Sequence, residues 1–251
     1  MSSAVIQPPA PEAAPLSEGA RLVNTFIAPS KTFTDLRRSA AWWAPFLLIA
    51  IVTIAFIYVV DKKVGFEKVT ENQIQASAKN AQRFEQMPAD QRARALELQA
   101  KITRGISYGS WAMALLIWLI IAAVLFGTLK LTGGEDLTFK ASFAVVIYSA
   151  LPGVLKAFLG IASMLAGINA DSFNIENFVA TNPGYFLSPV ESPFLYRIGT
   201  ALDIFTIWTL ILTAIGFACV GKIKRGTALA AVFGWYVFIT LIGAGIAAAF
   251  S

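Results

Sequence analysis

Residues 203–236 read DIFTIWTLILTAIGFACVGKIKRGTALAAVFGWY, two apolar runs that are separated by a short basic turn at 221–226. The first run ends at Val220, and the second continues to Phe250. Each run contains about the 20 apolar residues that a helix needs to cross a membrane. A turn this short forces the two helices to be antiparallel neighbours. The stretch therefore predicts an integral membrane protein that crosses the bilayer as helices.

The composition excludes several other classes of protein. The chain is 57% hydrophobic and only 14% charged, and a soluble protein needs more charge to cover its surface. There is no histidine, and the single cysteine, Cys219, lies in an apolar run. An internal disulfide and a Ser-His or Cys-His pair are therefore excluded, and we expect no metal site, cofactor or catalytic residue. The net charge of +5 is spread among loops without interleaved aromatic residues, so we expect no nucleic-acid partner.

The apolar signal recurs along the chain and predicts an all-α fold, a polytopic membrane helix bundle with five transmembrane helices. The membrane domain is predicted over 42–251, with spans at 42–60, 108–131, 141–167, 198–220 and 227–250. The connection at 61–107 contains nine Lys or Arg and six Asp or Glu, a mixture that is typical of solvated helices. We predict a water-exposed helical hairpin there, whose second arm runs into the second span. Docking of a partner on this loop is the alternative.

The chain before the first span divides into two predicted parts. Residues 1–16 are rich in proline and alanine, which predicts a disordered arm. Residues 17–41 form an amphipathic interfacial segment, with Ser17 as N-cap and with Pro29 ending the first helix. Apolar and polar residues fall on opposite faces of that helix: Leu22, Val23, Phe26 and Ile27 against Arg21, Asn24 and Thr25. Such a segment lies on the membrane surface or packs on the protein itself, and both alternatives stay open.

Apart from Lys130 at the end of the second span, Lys156 and Asp203 are the two charged residues inside the predicted spans. A charge at that depth costs a few kcal/mol, so each residue is expected to have a partner. Their predicted depths differ by roughly 9 Å, a distance over much of which a lysine side chain can reach. The two residues predict either a proton or ion relay or a structural role. In the structural role they form a pair with each other, or Lys156 reaches the interface while Asp203 caps a helix start. The structural alternative is favoured because a transporter usually has internal repeats or several buried carboxylates.

Three stretches together resemble the Yip family, multispanning membrane proteins named for their interaction with Ypt/Rab GTPases. They are residues 27–33 with the entry to span 1 at 43–45, residues 148–152 in span 3, and the opening stretch. In span 3 the proline is also expected to kink the helix. The positions that carry the resemblance are Pro29, Phe33, Pro45, Tyr148, Pro152, Asp203, Phe205, Trp208, Gly216, Phe217 and Trp235.

The resemblance implies a five-span domain with a cytoplasmic N-terminus and without an agreed catalytic residue. Eukaryotic relatives act in ER–Golgi vesicle traffic and bind prenylated Rab GTPases. The short N-terminal arm and the long charged loop at 61–107 are more like bacterial members. A bacterium has no Rab protein, so a Rab-type GTPase partner is expected only if the source is eukaryotic.

These observations predict a non-enzymatic scaffold, adaptor or membrane-organising protein in the bacterial cytoplasmic membrane. The two short turns hold five basic residues against two acidic ones, which predicts a cytoplasmic N-terminus and an outside C-terminus. The expected partners are the lipid bilayer and other membrane proteins or a second copy of the chain. A small solute or ion transporter or channel that uses Lys156 and Asp203 is the alternative function.

Overall fold

The computed structural model describes residues 14–167 and 169–250, and that part of the chain is all-α, which confirms the predicted fold class. Residues 1–13, most of the predicted disordered arm, lie outside the described residues. The helices are α1 Glu18–Ile27, α2 Pro29–Asp35, α3 Trp43–Lys63, α4 Phe66–Gln75, α5 Ala78–Glu85, α6 Ala89–Tyr108, α7 Ser110–Leu131, α8 Phe139–Ser149, α9 Pro152–Leu165, α10 Pro193–Ala201, α11 Ile204–Gly221 and α12 Arg225–Phe250. Two short 3-10 turns lie at Ala170–Ser172 and Pro183–Phe186.

Five segments of the described chain are long and apolar enough to cross a membrane: α3, α7, α8 with α9, α11 and α12. The connections alternate between the two ends of this bundle. We call the end with the short turns at 132–138 and 222–224 the turn end. We call the other end, with the connections at 64–109 and 166–203, the loop end.

The fourth span begins later than predicted. The apolar run from Ile198 is not one helix, because α10 ends at Ala201 and α11 starts at Ile204. The carboxylate of Asp203 accepts hydrogen bonds from the backbone N–H groups of Phe205 and Thr206, and so caps α11. A new helix begins at this cap, because its first amides are satisfied by a side chain instead of by the preceding turn.

The third span is interrupted at Pro152, as predicted. α8 ends at Ser149 and α9 starts at the proline, which has no N–H to continue the hydrogen-bond ladder. The interruption divides the packing of this span between two sets of neighbours. α8 packs on α7 and α11, whereas α9 packs mainly on α3.

The N-terminal helices α1 and α2 pack along the side of the bundle. Ser17 accepts a hydrogen bond from the N–H of Ala20, which confirms the predicted cap, and Pro29 begins α2. The ring of Phe26 lies 5.7 Å from that of Trp208, which is in the first half of α11. The pair is therefore packed on the protein's own spans, while Val23 and Ile27 remain 58% and 75% exposed.

Part of the polar face of α1 is buried, which the amphipathic pattern does not predict. Arg21 and Thr25, two residues of that face, are 3% and 0% exposed. The reason is that α2 folds back on this face and supplies its own polar partners, which neutralise the groups that α1 buries.

The charged connection at 61–107 forms three helices, instead of the two arms of a hairpin. α4 packs against α6, and α5 joins them. α6 leads through Gly109 directly into α7, as predicted. Asp61 at the end of α3 forms an ion pair of 2.8 Å with Arg104 of α6. The loop end is therefore a folded layer above the spans.

Candidate functional site

Asp203 is the centre of the first buried polar cluster. Its side chain is 2% exposed, and its Oδ1 accepts the N–H groups of Phe205 and Thr206 at 3.0 and 3.1 Å. Its Oδ2 accepts from Lys156 Nζ at 3.1 Å, from the Thr181 hydroxyl and from Asn182 Nδ2 at 3.4 Å. The carboxylate therefore joins the start of α11, the loop before α10 and α9.

Lys156 reaches this carboxylate from α9, so the structure brings together the two residues that the sequence singled out. Its side chain is 21% exposed, and its ammonium lies 5.6 Å from the centre of the Phe178 ring. That ring packs tightly, because a Cβ built on Gly160 would lie 2.6 Å from it. The ammonium is thus held between a carboxylate and an aromatic face.

The loop at 177–185 shapes the cluster, and sequence reasoning missed its role. Asn182 Nδ2 donates to Asn177 Oδ1 at 2.7 Å, and Asn182 Oδ1 accepts the N–H of Tyr185 at 3.0 Å. The N–H of Ile204 donates to the backbone oxygen of Thr181 at 3.2 Å. The residues Asn182-Pro183-Gly184 are typical of a turn, and this pattern alone does not indicate the partners of Asn182. The signal that was available is an asparagine directly before a proline, which is typical of a capped helical turn.

A second buried cluster was not predicted at all. Arg21 of α1 donates through Nε to Asp35 Oδ2 of α2 at 2.8 Å, and its Nη1 lies 3.0 Å from Glu18 Oε1. The hydroxyl of Tyr148 in α8 donates to Glu18 Oε2 at 3.0 Å. The backbone oxygen of Arg21 accepts the hydroxyl of Thr32 at 2.9 Å. No periodicity in the sequence signals this cluster, since its members belong to three different helices, α1, α2 and α8.

Both clusters join separate helices through hydrogen bonds and ion pairs. In the Asp203 cluster, five donors surround one carboxylate, and both backbone donors belong to a helix start. Removal of one partner would leave buried charge without compensation. Among the described residues, there is no group of three or more His, Cys, Asp or Glu that could hold a metal ion.

The positions that resemble the Yip family occupy packing contacts in the structure. A Cβ built on Gly216 would lie 2.5 Å from Val145 and 3.0 Å from the ring of Phe33, so α2 and α8 approach α11 closely there. Trp235 Nε1 donates to the Thr128 hydroxyl at 3.0 Å, which links α12 to α7. The side chains of Phe33, Tyr148 and Phe217 are each 0% exposed, and that of Phe205 is 8% exposed. Pro29, Pro45 and Pro152 lie in the first turns of α2, α3 and α9.

Comparison with known proteins agrees with this architecture. The model of one protein family, the Yip1 domain, matches residues 23–247, which is nearly the whole chain. No curated protein and no solved structure gives a significant match. The matched region includes four of the five apolar spans, all but the last residues of the fifth, and the family-like positions named above. The chain therefore belongs to the Yip1 domain family of multispanning membrane proteins.

Proposed function

We propose that this protein is a non-enzymatic membrane scaffold or adaptor that organises the membrane or proteins within it. The observation that carries the proposal is the closed Asp203 cluster, in which the mid-span charge of Lys156 is used to fasten α9, a loop and α11 together. Buried charges that fix helices relative to one another make the bundle rigid. A rigid bundle is suited to presenting a constant surface to partners. The chain contains no histidine, so a Ser-His or Cys-His catalytic pair is not available to it.

The surface offered to partners is apolar and lies on two spans. Only 17% of the most apolar stretch of α7, and only 11% of that of α12, is buried inside the protein. They present large exposed side chains, among them Leu116, Ile120, Phe238 and Ile242. Lipid covers such faces unless another membrane protein or a second copy of the chain does. A Rab-type GTPase joins these partners only in a eukaryotic source, and nucleic acid is not among them.

The proposed location is the cytoplasmic membrane of a bacterium, with the turn end inside. The two short turns meet there, since Lys222 and Asp136 form an ion pair of 2.7 Å. These turns and the residues that border them carry five basic residues, Lys130, Lys140, Lys222, Lys224 and Arg225, which favours the cytoplasmic side. The N-terminus then lies inside, and the end of α12 lies outside.

The alternative function, a transporter or channel, rests on Lys156 and Asp203 and is separated from the scaffold by one experiment. A deletion strain is complemented with the wild type and with the double variant Lys156→Met, Asp203→Asn. Asparagine still caps a helix, and methionine fills the space of the lysine stem, so the cluster stays closed without its charges. We expect altered membrane organisation in the deletion strain and its recovery with both proteins.

Two results contradict the scaffold. One is a deletion strain in which uptake or export of a single solute fails while membrane organisation is normal. The other is a double variant that reaches the membrane in normal amounts and is folded, but does not complement. The amount of protein in isolated membranes is measured in every strain, so that loss of the protein is not mistaken for loss of function.

A further inference from the structure

Two adjoining clefts at the loop end share Arg197 and Ile246 and differ in the residues that line them. The first, of about 670 Å³, is lined mostly by polar residues, among them Asn72 of α4, Glu176 of the loop before α10 and Tyr196 of α10, although apolar atoms form the larger part of its surface. The second, of about 510 Å³, lies between α10 and α12, with Ile239, Gly243 and Ala244 in its lining. We call the first the polar cleft and the second the apolar cleft. Polar side chains beside apolar surface fit an amphiphilic molecule.

The depth of the clefts along α12 agrees with a lipid. α12 begins at Arg225 at the turn end, so a rise of 1.5 Å per residue places Ile239 at about 21 Å and Ile246 at about 32 Å along its axis. The hydrocarbon core of a bilayer is about 30 Å thick. The apolar cleft therefore lies at the level of the acyl chains of one leaflet, and the polar cleft lies at the level of its headgroups.

Two charges at the polar cleft have no ionic partner among the described residues. Arg197 and Glu176 both line this cleft, both are exposed, and neither belongs to an ion pair within 4 Å. Asp171, the other carboxylate of the cleft, is held by Lys68 at 2.8 Å. A guanidinium at the headgroup level is suited to a phosphate, which it can bind through two parallel hydrogen bonds. A free carboxylate nearby repels a second anion and attracts an ammonium group.

We propose that these clefts bind a phospholipid with a primary-amine headgroup, such as a phosphoethanolamine lipid. Its phosphate contacts Arg197, its ammonium faces Glu176, and one acyl chain lies between α10 and α12. The hydroxyl of Thr200, which lines the apolar cleft beside Arg197, adds a polar contact where the chain meets the headgroup. The inference does not depend on the scaffold function.

Native mass spectrometry of the detergent-purified full-length protein tests the site. The protein is titrated with phosphatidylethanolamine, with phosphatidylglycerol and with soluble phosphoethanolamine. We expect preferential retention of phosphatidylethanolamine, and a loss of about tenfold in its affinity in Arg197→Gln, since a hydrogen bond to a charged group is removed. Glu176→Gln should remove the preference for phosphatidylethanolamine over phosphatidylglycerol. Arg94→Gln, an exposed arginine outside both clefts, is the matched control and should bind as the wild type does.

Three outcomes would overturn the proposal. Equal retention of phosphatidylethanolamine by the wild type and by Arg197→Gln would contradict a contact between the lipid phosphate and Arg197. Equal binding of phosphatidylethanolamine and phosphatidylglycerol by the wild type would contradict recognition of the amine headgroup. Soluble phosphoethanolamine that binds as tightly as the lipid shows a water-borne ligand instead. Thermal unfolding of each variant is recorded alongside, and these exposed side chains are expected to leave it unchanged.

Discussion

Asp203 illustrates how one buried charge is made tolerable within a membrane bundle. Its carboxylate is compensated by Lys156 and by a helix start, so neither charge is left alone in an apolar surrounding. Buried ion pairs share a general property. Removal of one partner lowers the free energy of unfolding far more than replacement of both partners by uncharged residues does. Measurements of the free energy of unfolding can therefore distinguish two quantities: the stabilisation by the intact pair, and the destabilisation by one buried charge without its partner.

Lys156→Met is expected to lower the free energy of unfolding by about 3 kcal/mol, because Asp203 then keeps a buried negative charge without its cation. The double variant Lys156→Met, Asp203→Asn should recover most of that loss. Equilibrium unfolding in mixed detergent measures both values. A single variant as stable as the wild type would show that the ion pair does not hold α9 to α11.

The Tyr148 hydroxyl gives a second prediction at the residue scale. It donates to the charged Glu18, whereas the Tyr236 hydroxyl donates to the neutral backbone oxygen of Ala201 at 2.8 Å. Tyr148→Phe should therefore cost about 2 kcal/mol and Tyr236→Phe about 1 kcal/mol, since hydrogen bonds to charged groups are the stronger ones. Unfolding free energies of the two variants are compared. Equal losses would contradict a charged acceptor for Tyr148.

At the scale of elements, α1 and α2 are part of the bundle instead of an appendage to it. Phe33 is fully buried between α8 and α11, and the glycine at 216 makes room for it. Four charged or polar side chains then fasten α1 to α2 and α8. The helix pair is held by apolar contact on one side and by an ion cluster on the other.

Gly216→Ala is expected to loosen this helix pair. The added Cβ would lie 2.5 Å from Val145 and 3.0 Å from the ring of Phe33, and overpacking of this kind costs about 1–3 kcal/mol. Hydrogen exchange should rise in 18–35 before it rises in the five spans. Gly243→Ala is the matched control, because no heavy atom lies within 4 Å of its added Cβ. Unchanged exchange in 18–35 would show that this approach is not required.

The elements differ in how far the sequence predicted them, and the difference has a physical cause. The interruption at Pro152 was predicted because proline acts on its own helix, whatever surrounds it. At Asp203 the sequence predicted a possible helix cap, but the span was still placed from Ile198, because the contacts of Asp203 with the loop at 181–182 have no local pattern. Burial of Arg21 was missed for the same reason, since Asp35 belongs to another helix. Local signals predicted the spans, and contacts between distant segments determined the site.

At the scale of the whole molecule, the two ends of the bundle have different constructions. The turn end is compact, with two short turns that are joined by the ion pair of Lys222 and Asp136. This pair is exposed, and the ammonium of Lys222 lowers the pKa of Asp136 below its ordinary value through a direct hydrogen bond. The loop end carries three additional helices and the long connection before α11, and both clefts open there. The loop end is thus the larger surface for ligands.

The orientation of this asymmetric bundle is the final prediction. A green fluorescent protein, which fluoresces only in the cytoplasm, is fused at the N-terminus, after Lys224 or at the C-terminus, and an alkaline phosphatase, which is active only outside, is fused at the same places. We expect fluorescence from the first two fusions and phosphatase activity from the third, because basic residues of short turns are retained inside. Replacing Lys222, Lys224 and Arg225 by glutamine should reduce the share of protein in that orientation. Bright fluorescence from the C-terminal fusion would reverse the assignment and place the clefts of the loop end in the cytoplasmic leaflet.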